Sequence, residues 1–267
     1  MDANYLKQIF SLDGKKAVVT GGGSGLGRAI ALSLAAFGAE VTVTGRTLGK
    51  LEETCRLVEE KGGVCRAAVA DISDAASQAA FFEQYKKEEG RLDIFVANAG
   101  MNKRAELPDT PLEVIREITA ADYVGTLDGM IHAAKIMKEQ RSGNMVVITS
   151  INGVSPLPNQ AVYSSAKAAL ESAVRSMAAS MAPFGVRVNS VAPGCIHSEI
   201  NHAIFSQPEF RASKEAQIPL GHIGTPADVG DVVACVVSDA FRFMTGSSIL
   251  VDGGELIRPM MNQPIEM

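Results

Sequence analysis

A glycine-rich turn near the N-terminus limits the possible folds of this chain more than any other feature. Residues 15–20 end in an apolar run that leads directly into Gly21-Gly-Gly-Ser-Gly-Leu-Gly27. From 26 to 37, apolar residues recur at three- and four-residue intervals, which predicts an amphipathic helix, and residues 41–44 predict a second strand. Such a unit is typical of folds that bind a phosphate group, because glycines allow a tight turn and the helix N-terminus offers free N–H groups.

The spacing of these glycines is unusual. The common dinucleotide-binding fingerprint has glycines at its first, third and sixth positions. Here Gly21, Gly25 and Gly27 occupy the first, fifth and seventh positions, with Gly22 and Gly23 as extras. A tight loop without a ligand is the alternative, but the flanking strand and helix favour a nucleotide-binding turn.

Strand and helix patterns alternate along the rest of the chain. The predicted helices cover 47–61, 74–89, 111–140, 160–183 and 225–238, and the predicted strands cover 64–69, 94–97, 144–149, 186–191 and 248–251. This alternation predicts an α/β fold with a doubly wound parallel sheet and helices on both faces. No linker divides residues 1–267, which predicts a single domain. The polar segment at about 195–218 is predicted to be an irregular, mobile substrate lid.

Composition and charge argue against several classes of protein. Hydrophobic residues make up 46% and charged residues 21% of the chain, as in ordinary globular proteins. The net charge of -5 and the lack of a long basic run argue against nucleic-acid binding. Residues 1–16 lack the apolar core of a signal peptide, and no apolar stretch is long enough for a membrane span. We therefore expect a cytoplasmic protein.

The cysteines and histidines show no metal-binding pattern. The four cysteines are scattered without a Cys-x-x-Cys pair, which predicts free thiols in a reducing compartment. No histidine has a second ligand at metal spacing, so no metal site is expected. These residues are Cys55, Cys65, Cys195, Cys235, His132, His197, His202 and His222.

Tyr163 and Lys167 are four residues apart in a predicted helix, so their side chains share one face. A free phenol has a pKa of about 10 and exchanges protons poorly near neutrality, whereas a nearby ammonium favours the phenolate. Such a pair can move a proton to or from an alcohol oxygen. An ordinary surface pair is the alternative, because this spacing is common on helices.

Further motifs make the sequence similar to the short-chain dehydrogenase/reductase family over nearly its whole length. Any one motif is common, but their order and spacing together are specific. The motifs are Thr20-Gly21-x-x-x-Gly25-x-Gly27, Asp71-Ile72, Asn98-Ala99-Gly100, Ser150, Tyr163-x-x-x-Lys167, Pro193-Gly194, the stretch from Ile218 to Asp228, Thr245-Gly246 and Val251-Asp252-Gly253-Gly254.

This resemblance implies a Rossmann fold with a seven-stranded parallel sheet and hydride transfer between a nicotinamide cofactor and a carbinol carbon. It implies that Tyr163 is the general acid or base, that Lys167 supports it, and that Ser150 hydrogen-bonds the substrate oxygen. The cofactor contacts expected from the resemblance and the strand alignment are Gly21, Ser24, Gly25, Leu26, Gly27, Arg46, Asp71, Ile72, Asn98, Gly100, Tyr163, Lys167, Pro193, Gly194, Ile196 and Ser198.

One position departs from the family pattern. The family usually has an asparagine in the long helix, three residues before a glycine, at the end of a proton relay to the lysine. Asp122 stands at the matching place before Gly125. A carboxylate there can hold the relay water and stabilise the ammonium of Lys167. Alternatively, the alignment is shifted and Asp122 makes only a local hydrogen bond. Asp122 is therefore a candidate catalytic residue with two open interpretations.

The end of the second strand bears on the choice of cofactor. Enzymes that use NAD place an acidic residue there to bind the adenine ribose. Gly45 occupies this place and Arg46 follows, so a 2′-phosphate meets no repelling carboxylate and can pair with a guanidinium. An ordinary solvated arginine is the alternative, and Ser24 stands where a second basic residue is often found. We expect NADP(H) to be preferred over NAD(H).

The loops expected to contact the substrate cover residues 102–109, 151–160 and 195–218. They are rich in polar and poor in aromatic side chains, which favours a polyol, sugar or sugar acid as the alcohol or ketone substrate. A 3-oxoacyl thioester reductase and a hydroxysteroid dehydrogenase are alternatives, since family members share the core and differ in these loops.

Two further expectations concern turnover and assembly. A non-catalytic NADP(H)-binding regulator is an alternative from another class, and the intact Ser150, Tyr163 and Lys167 argue against it. The family resemblance also implies a homotetramer, with the helices at 111–140 and 160–183 forming one interface.

Overall fold

The computed structural model describes residues 3–257, which form a seven-stranded parallel sheet in the order β3-β2-β1-β4-β5-β6-β7. The strands are β1 (Lys16–Thr20), β2 (Glu40–Gly45), β3 (Val64–Val69), β4 (Ile94–Ala97), β5 (Gly143–Ile148), β6 (Val186–Pro193) and β7 (Ser248–Val251). The predicted doubly wound parallel sheet is confirmed. Residues 1–2 and 258–267 of the predicted domain lie outside the described residues.

Ten α-helices connect and cover the strands of the described chain. They are α1 (Ala3–Phe10), α2 (Gly25–Ala36), α3 (Leu48–Glu59), α4 (Ala75–Glu89), α5 (Leu112–Thr119), α6 (Thr126–Gln140), α7 (Ala161–Met181), α8 (His202–Phe205), α9 (Pro208–Glu215) and α10 (Pro226–Val237). In residues 3–257, no helix combines the length and apolar character needed to cross a membrane.

Two apolar cores lie on opposite faces of the sheet. In β1, Val19 belongs to one core and its neighbour Val18 to the other, because successive strand side chains point to opposite faces. Helices α2, α3 and α10 cover the first core, and α4, α6 and α7 cover the second. Burial on both faces explains why the central strands are continuously apolar.

The carboxyl ends of the central strands meet at one edge of the sheet. The chain continues to β2 on one side of β1 and later returns to β4 on the other side, so the strand order reverses there. In open α/β sheets, ligands bind in the crevice outside such a switch point. The glycine turn after β1 and the loops after β4, β5 and β6 all lie at this edge.

The predicted helix at 111–140 is interrupted. A π-helical segment at Ala120–Gly125 separates α5 from α6. A π-helical turn widens the hydrogen-bonding pattern and changes which side chains face inward, and apolar periodicity does not reveal it. A side chain of α4 stabilises the widened turn. Gln78 Nε2 donates to the carbonyl oxygen of Gly125 in the π-helical segment at 3.0 Å and to that of Ile72 at 2.9 Å.

Three other parts of the structure differ from expectation. The unpredicted helix α1 precedes β1, and α7 covers Ala161–Met181 rather than 160–183, with a 3₁₀ turn following it. The segment at 195–218 is not irregular, because it contains α8 and α9. Phe205, Ile218 and Ile223 form a small apolar cluster there, which explains why this polar stretch can fold.

Candidate active site

The turn after β1 can be built only with glycine at its tightest points. Gly21 has a φ of 67°, and a Cβ on it would lie 2.9 Å from Ala99 Cα. A Cβ on Gly27 would collide with the carbonyl oxygen of Gly21. The turn is also tied to the end of β4, because Asn98 Nδ2 donates to Thr20 O at 2.9 Å. Backbone therefore fills the space that side chains would otherwise occupy.

The first turn of α2 leaves unused backbone donors. The N–H groups of Gly25, Leu26 and Gly27 have no acceptor among residues 3–257, and Ser24 at the N-cap makes no side-chain capping bond. A Cβ on Gly25 would have Ser198 as its nearest neighbour, with Cβ at 3.7 Å, so space remains beside the backbone. Free N–H groups at a helix N-terminus fit the pyrophosphate of a dinucleotide.

The residues expected near the adenine end of a dinucleotide follow β2 and β3. Arg46 is exposed and makes no ion pair with the described residues. The Asp71 carboxylate accepts hydrogen bonds from Ser73 N at 2.9 Å and Ser73 Oγ at 2.8 Å. The Ser73 backbone N–H is the main group that lowers the pKa of Asp71, and the charge of Arg46 also lowers it. The Ile72 carbonyl oxygen is occupied by Gln78 Nε2.

Ser150, Tyr163 and Lys167 lie around the carboxyl end of β5. Ser150 follows β5 and is buried, and its Oγ accepts a hydrogen bond from Asn152 N at 3.1 Å. Lys167 is only 4% exposed, and its Nζ donates to the carbonyl oxygen of Ile148 at 3.1 Å. The same Nζ lies 5.5 Å from the centre of the Tyr163 ring. The Tyr163 hydroxyl has no hydrogen-bond partner among residues 3–257, so it is free for a ligand.

Asp122 lies in the π-helical segment and is fully buried. Its Oδ1 accepts a hydrogen bond from Met101 N at 2.7 Å, whereas its Oδ2 is buried without a partner. A Cβ on Gly100 would collide with Asp122 Oδ1 and would lie 3.6 Å from Lys167 Nζ, so both side chains converge on this glycine. Burial raises the pKa of Asp122, and the charge of Lys167 and the Met101 N–H oppose that rise.

The loop after β6 packs against the end of β7. Gly194 N donates to Val251 O at 3.0 Å, and a Cβ on Gly194 would lie 2.6 Å from Asp252 Cβ. Ile196 then forms a β-bridge with Gly224. Pro193 is buried at the end of β6, and Ser198 N donates to Asn201 Oδ1 at 2.7 Å. These bonds hold the predicted cofactor-contact segment at the carboxyl edge of the sheet.

Cys195 lies in this loop, between Gly194 and Ile196, and is half-buried. Burial, together with the negative charge of Glu255, raises the pKa of the Cys195 thiol to about 11. Its backbone N–H donates to Glu255 Oε2 at 2.8 Å. A thiol with so high a pKa remains protonated near neutrality, which favours a packing role over a reactive one.

The structure brings together residues that the sequence left apart. Cys55 and Cys65 lie with their Sγ atoms 3.1 Å apart as free thiols, and His197 Nε2 lies 3.1 Å from His202 Nδ1. Within the described chain, no group of three or more His, Cys, Asp or Glu side chains is placed to hold a metal ion.

Sequence reasoning also missed a buried carboxylate. Glu171 accepts hydrogen bonds from the hydroxyls of Thr149 at 2.6 Å, Ser190 at 2.9 Å and Ser248 at 3.0 Å. Its partners come from three separate segments of the chain. No local motif could therefore have revealed this cluster.

Comparisons with known proteins agree with this architecture. A family model described as enoyl-(acyl carrier protein) reductase matches residues 21–255. A 3beta-hydroxysteroid dehydrogenase from Eggerthella lenta is 32% identical over 250 residues, which cover 93% of this chain and 96% of that protein.

Two solved structures are similar over nearly their whole lengths. A short-chain type dehydrogenase/reductase from Mycobacterium marinum is 31% identical, has a TM-score of 0.87, and covers 93% of this chain and 98% of its own. A gluconate 5-dehydrogenase from Burkholderia cenocepacia, in complex with NADP and tartrate, is 27% identical with a TM-score of 0.89, and the match covers 94% and 98%. The chain therefore belongs to the short-chain dehydrogenase/reductase family and is an NAD(P)-dependent alcohol dehydrogenase.

Proposed function

We propose that the protein interconverts secondary alcohols and ketones with NADP(H), and that Ser150, Tyr163 and Lys167 are its catalytic residues. The observation that carries this proposal is the Tyr163 hydroxyl. It has no partner among the described residues, although a buried ammonium lies 5.5 Å from the centre of its ring. A free phenol beside a cation, at the carboxyl edge of the sheet, suits proton exchange with a ligand oxygen.

The three side chains divide the proton chemistry between them. In reduction, Tyr163 donates its proton to the substrate oxygen, and in oxidation it accepts that proton back. The ammonium of Lys167 stabilises the phenolate form of Tyr163. The Ser150 hydroxyl hydrogen-bonds the same oxygen and orients it. A bound nicotinamide supplies or accepts the hydride.

Asp122 is proposed to act behind Lys167. Its unpartnered Oδ2 can hold a water that returns a proton to the Lys167 amine after Lys167 has passed one on toward Tyr163. The charge of Lys167 also acts on this carboxylate. The alternative, a purely local role, draws on the hydrogen bond from Met101 N. The activity of Asp122→Ala separates these two roles.

The cofactor is proposed to lie along the carboxyl edge of the sheet. The free N–H groups of Gly25, Leu26 and Gly27 would hold its pyrophosphate. The remaining proposed contacts are Gly21, Ser24, Arg46, Asp71, Ile72, Asn98, Gly100, Tyr163, Lys167, Pro193, Gly194, Ile196 and Ser198.

A preference for NADP(H) is supported by Gly45 and the exposed Arg46, because no carboxylate ends β2. The similar gluconate 5-dehydrogenase is in complex with NADP. A Cβ on Gly45 would lie at an ordinary 3.4 Å from Leu51 Cδ2, so a side chain can begin there without a clash. Gly45→Asp combined with Arg46→Ile should therefore shift the ratio of kcat/KM values toward NAD. A wild-type enzyme that strongly prefers NAD would contradict the assignment.

The proposed substrate is a polyol, sugar or sugar acid. The loops after β4 and β5 are joined by the polar side chains of Asn102, Asn152 and Gln160, which suit a hydroxylated substrate. The similar gluconate 5-dehydrogenase is named for a sugar acid. A hydroxysteroid is the second candidate, because the Eggerthella lenta relative is a 3beta-hydroxysteroid dehydrogenase.

The deciding experiment is a substrate and cofactor panel followed by nicotinamide absorbance in both directions. Polyols, sugar acids, a hydroxysteroid and a 3-oxoacyl thioester are compared with both cofactors. Tyr163→Phe should reduce kcat/KM by about 100-fold or more while NADPH binding remains, because it removes only the exchangeable proton. Tight NADPH binding without any turnover would instead support a regulatory protein.

We further propose a mobile lid at 195–218, a cytoplasmic location and a homotetramer. The free thiols of the four cysteines support a reducing compartment. The exposed apolar side chains of Leu112, Val124 and Ile131 support an interface at the predicted helix region 111–140. Light scattering that showed a monomer would contradict the tetramer.

A further inference from the structure

Gln160 joins the two loops that border the candidate active site. Its Oε1 accepts a hydrogen bond from Asn102 Nδ2 at 3.0 Å and another from Asn152 Nδ2 at 3.0 Å. Asn102 belongs to the loop after β4, whereas Asn152 belongs to the loop after β5. The two loop regions also meet through their backbones, because Ala105 N donates to Asn159 O at 3.0 Å.

The same hydrogen-bond network reaches Ser150. Asn152 donates its backbone N–H to Ser150 Oγ at 3.1 Å and its side-chain amide to Gln160. Gln160 is also the N-cap of α7, three residues before Tyr163 and seven before Lys167. Residues at this spacing share one helix face. The carboxamide of Gln160 is therefore built into the surroundings of the proposed catalytic residues.

One end of this carboxamide is unused. Gln160 is only 5% exposed, and both observed hydrogen bonds use its Oε1. Its Nε2 has no partner among residues 3–257, and unlike Ser164 Oγ it is not sealed inside the protein. Nε2 is therefore a donor that water can reach, and a ligand oxygen that accepts from it takes the place of that water.

We infer that Gln160 determines substrate specificity by hydrogen-bonding a second hydroxyl group beside the reacting carbinol, so that vicinal diols are favoured over simple alcohols. The inference rests on the proposed oxidation of secondary alcohols. A site built to hydrogen-bond a substrate hydroxyl rejects an analogue that lacks it, because its polar group is then left unpaired. The two asparagines hold the carboxamide in place and reduce the entropy lost on binding.

The test compares the oxidation of butane-2,3-diol and butan-2-ol, which differ by one vicinal hydroxyl. Wild-type enzyme should show a kcat/KM at least about tenfold higher for the diol. Gln160→Met conserves the length of the side chain but removes its polar end, so the ratio of the two values should fall to near one. This ratio is independent of how much of the variant is folded, because both substrates meet the same active enzyme.

Gln8 offers a matched control, because the same substitution can be made far from the loops that border the site. It is exposed on α1, its side chain makes no hydrogen bond with the described residues, and Gln8→Met should leave the ratio unchanged. A ratio that stays at its wild-type value in Gln160→Met, or that falls equally in Gln8→Met, would overturn the inference. So would equal oxidation of both alcohols by wild-type enzyme, with the proposed function intact. If wild-type enzyme oxidises neither alcohol but turns over another alcohol of the panel, the inference alone fails. If it turns over no alcohol of the panel, the proposed function fails as well.

Discussion

Two buried carboxylates differ in how completely they are hydrogen-bonded. Glu171, on α7, accepts from three hydroxyls at 2.6, 2.9 and 3.0 Å. Asp122, in the π-helical segment, accepts one backbone hydrogen bond at 2.7 Å, and its Oδ2 has no partner although it is fully buried. Both lie close to Lys167. Glu171 is one turn further along α7, and the charge of the Lys167 ammonium lowers the pKa of Asp122 against the effect of burial.

The difference is what a structural role for Glu171 and the proposed relay role for Asp122 would produce. A buried carboxylate is costly unless hydrogen bonds replace the lost water. The three hydroxyls supply those bonds to Glu171 and link α7 to the segments around β5, β6 and β7. Asp122 accepts only one hydrogen bond, so the free-energy cost of burying its carboxylate is offset by other interactions of the fold. Such an unsatisfied group in a native protein is explained by a water or by a function.

The largest effect is expected for Glu171→Ala. The variant leaves three buried hydroxyls without their acceptor, and each loss costs about 1–3 kcal/mol, partly recovered by other acceptors. We expect the free energy of unfolding to fall by about 3–5 kcal/mol in urea titrations. Arg175→Ala is the control, because this exposed side chain lies 3.8 Å from Glu171 and should contribute little. A loss below about 1 kcal/mol for Glu171→Ala would show that water replaces the carboxylate.

Asp122→Ala should lower activity while affecting stability less than Glu171→Ala, because only one hydrogen bond to this carboxylate, from Met101 N, is lost. Removing the proposed proton relay behind Lys167 should lower kcat by about 10- to 100-fold, equivalent to about 1.4–2.7 kcal/mol of barrier, with little change in KM. Asp122→Asn keeps an acceptor for Met101 N and a polar group for water, so it should retain most of the activity. Steady-state kinetics measure both variants. Full activity in Asp122→Ala would remove this residue from the catalytic set.

The sequence predicted what depends on local patterns. Tyr163 and Lys167 could be paired because helix geometry relates positions four apart, and the parallel sheet follows from alternating strands and helices. The π-helical segment around Asp122 was not predicted, because a single widened turn leaves no clear apolar period. The partners of Glu171 and Gln160 come from segments distant in the sequence. Such networks become visible only when the strand ends have been brought together.

The pH dependence of stability sharpens the comparison further. Burial raises the native pKa of Asp122, so the native state retains this proton to a higher pH than the unfolded state does. The stability that this bound proton contributes is therefore fully present below the unfolded pKa of Asp122, about 3.9, and is lost as pH rises through the native pKa. Relative to Asp122→Asn, wild-type protein should lose stability over that window. Urea titrations of both proteins from about pH 4 to 8 measure the difference, and parallel curves would contradict a raised pKa.

The smallest effect is expected for Ser164→Ala, next to Tyr163 on α7. Ser164 Oγ is buried without a partner among the described residues, so this hydroxyl resembles Asp122 Oδ2 in lacking a hydrogen bond but carries no charge. Its removal deletes an unpaired polar atom and introduces the best helix former, which should stabilise the protein by about 0.5–1 kcal/mol. Thermal unfolding measures the change. A destabilisation instead would mean that the Ser164 hydroxyl hydrogen-bonds a water, as Asp122 Oδ2 is proposed to do.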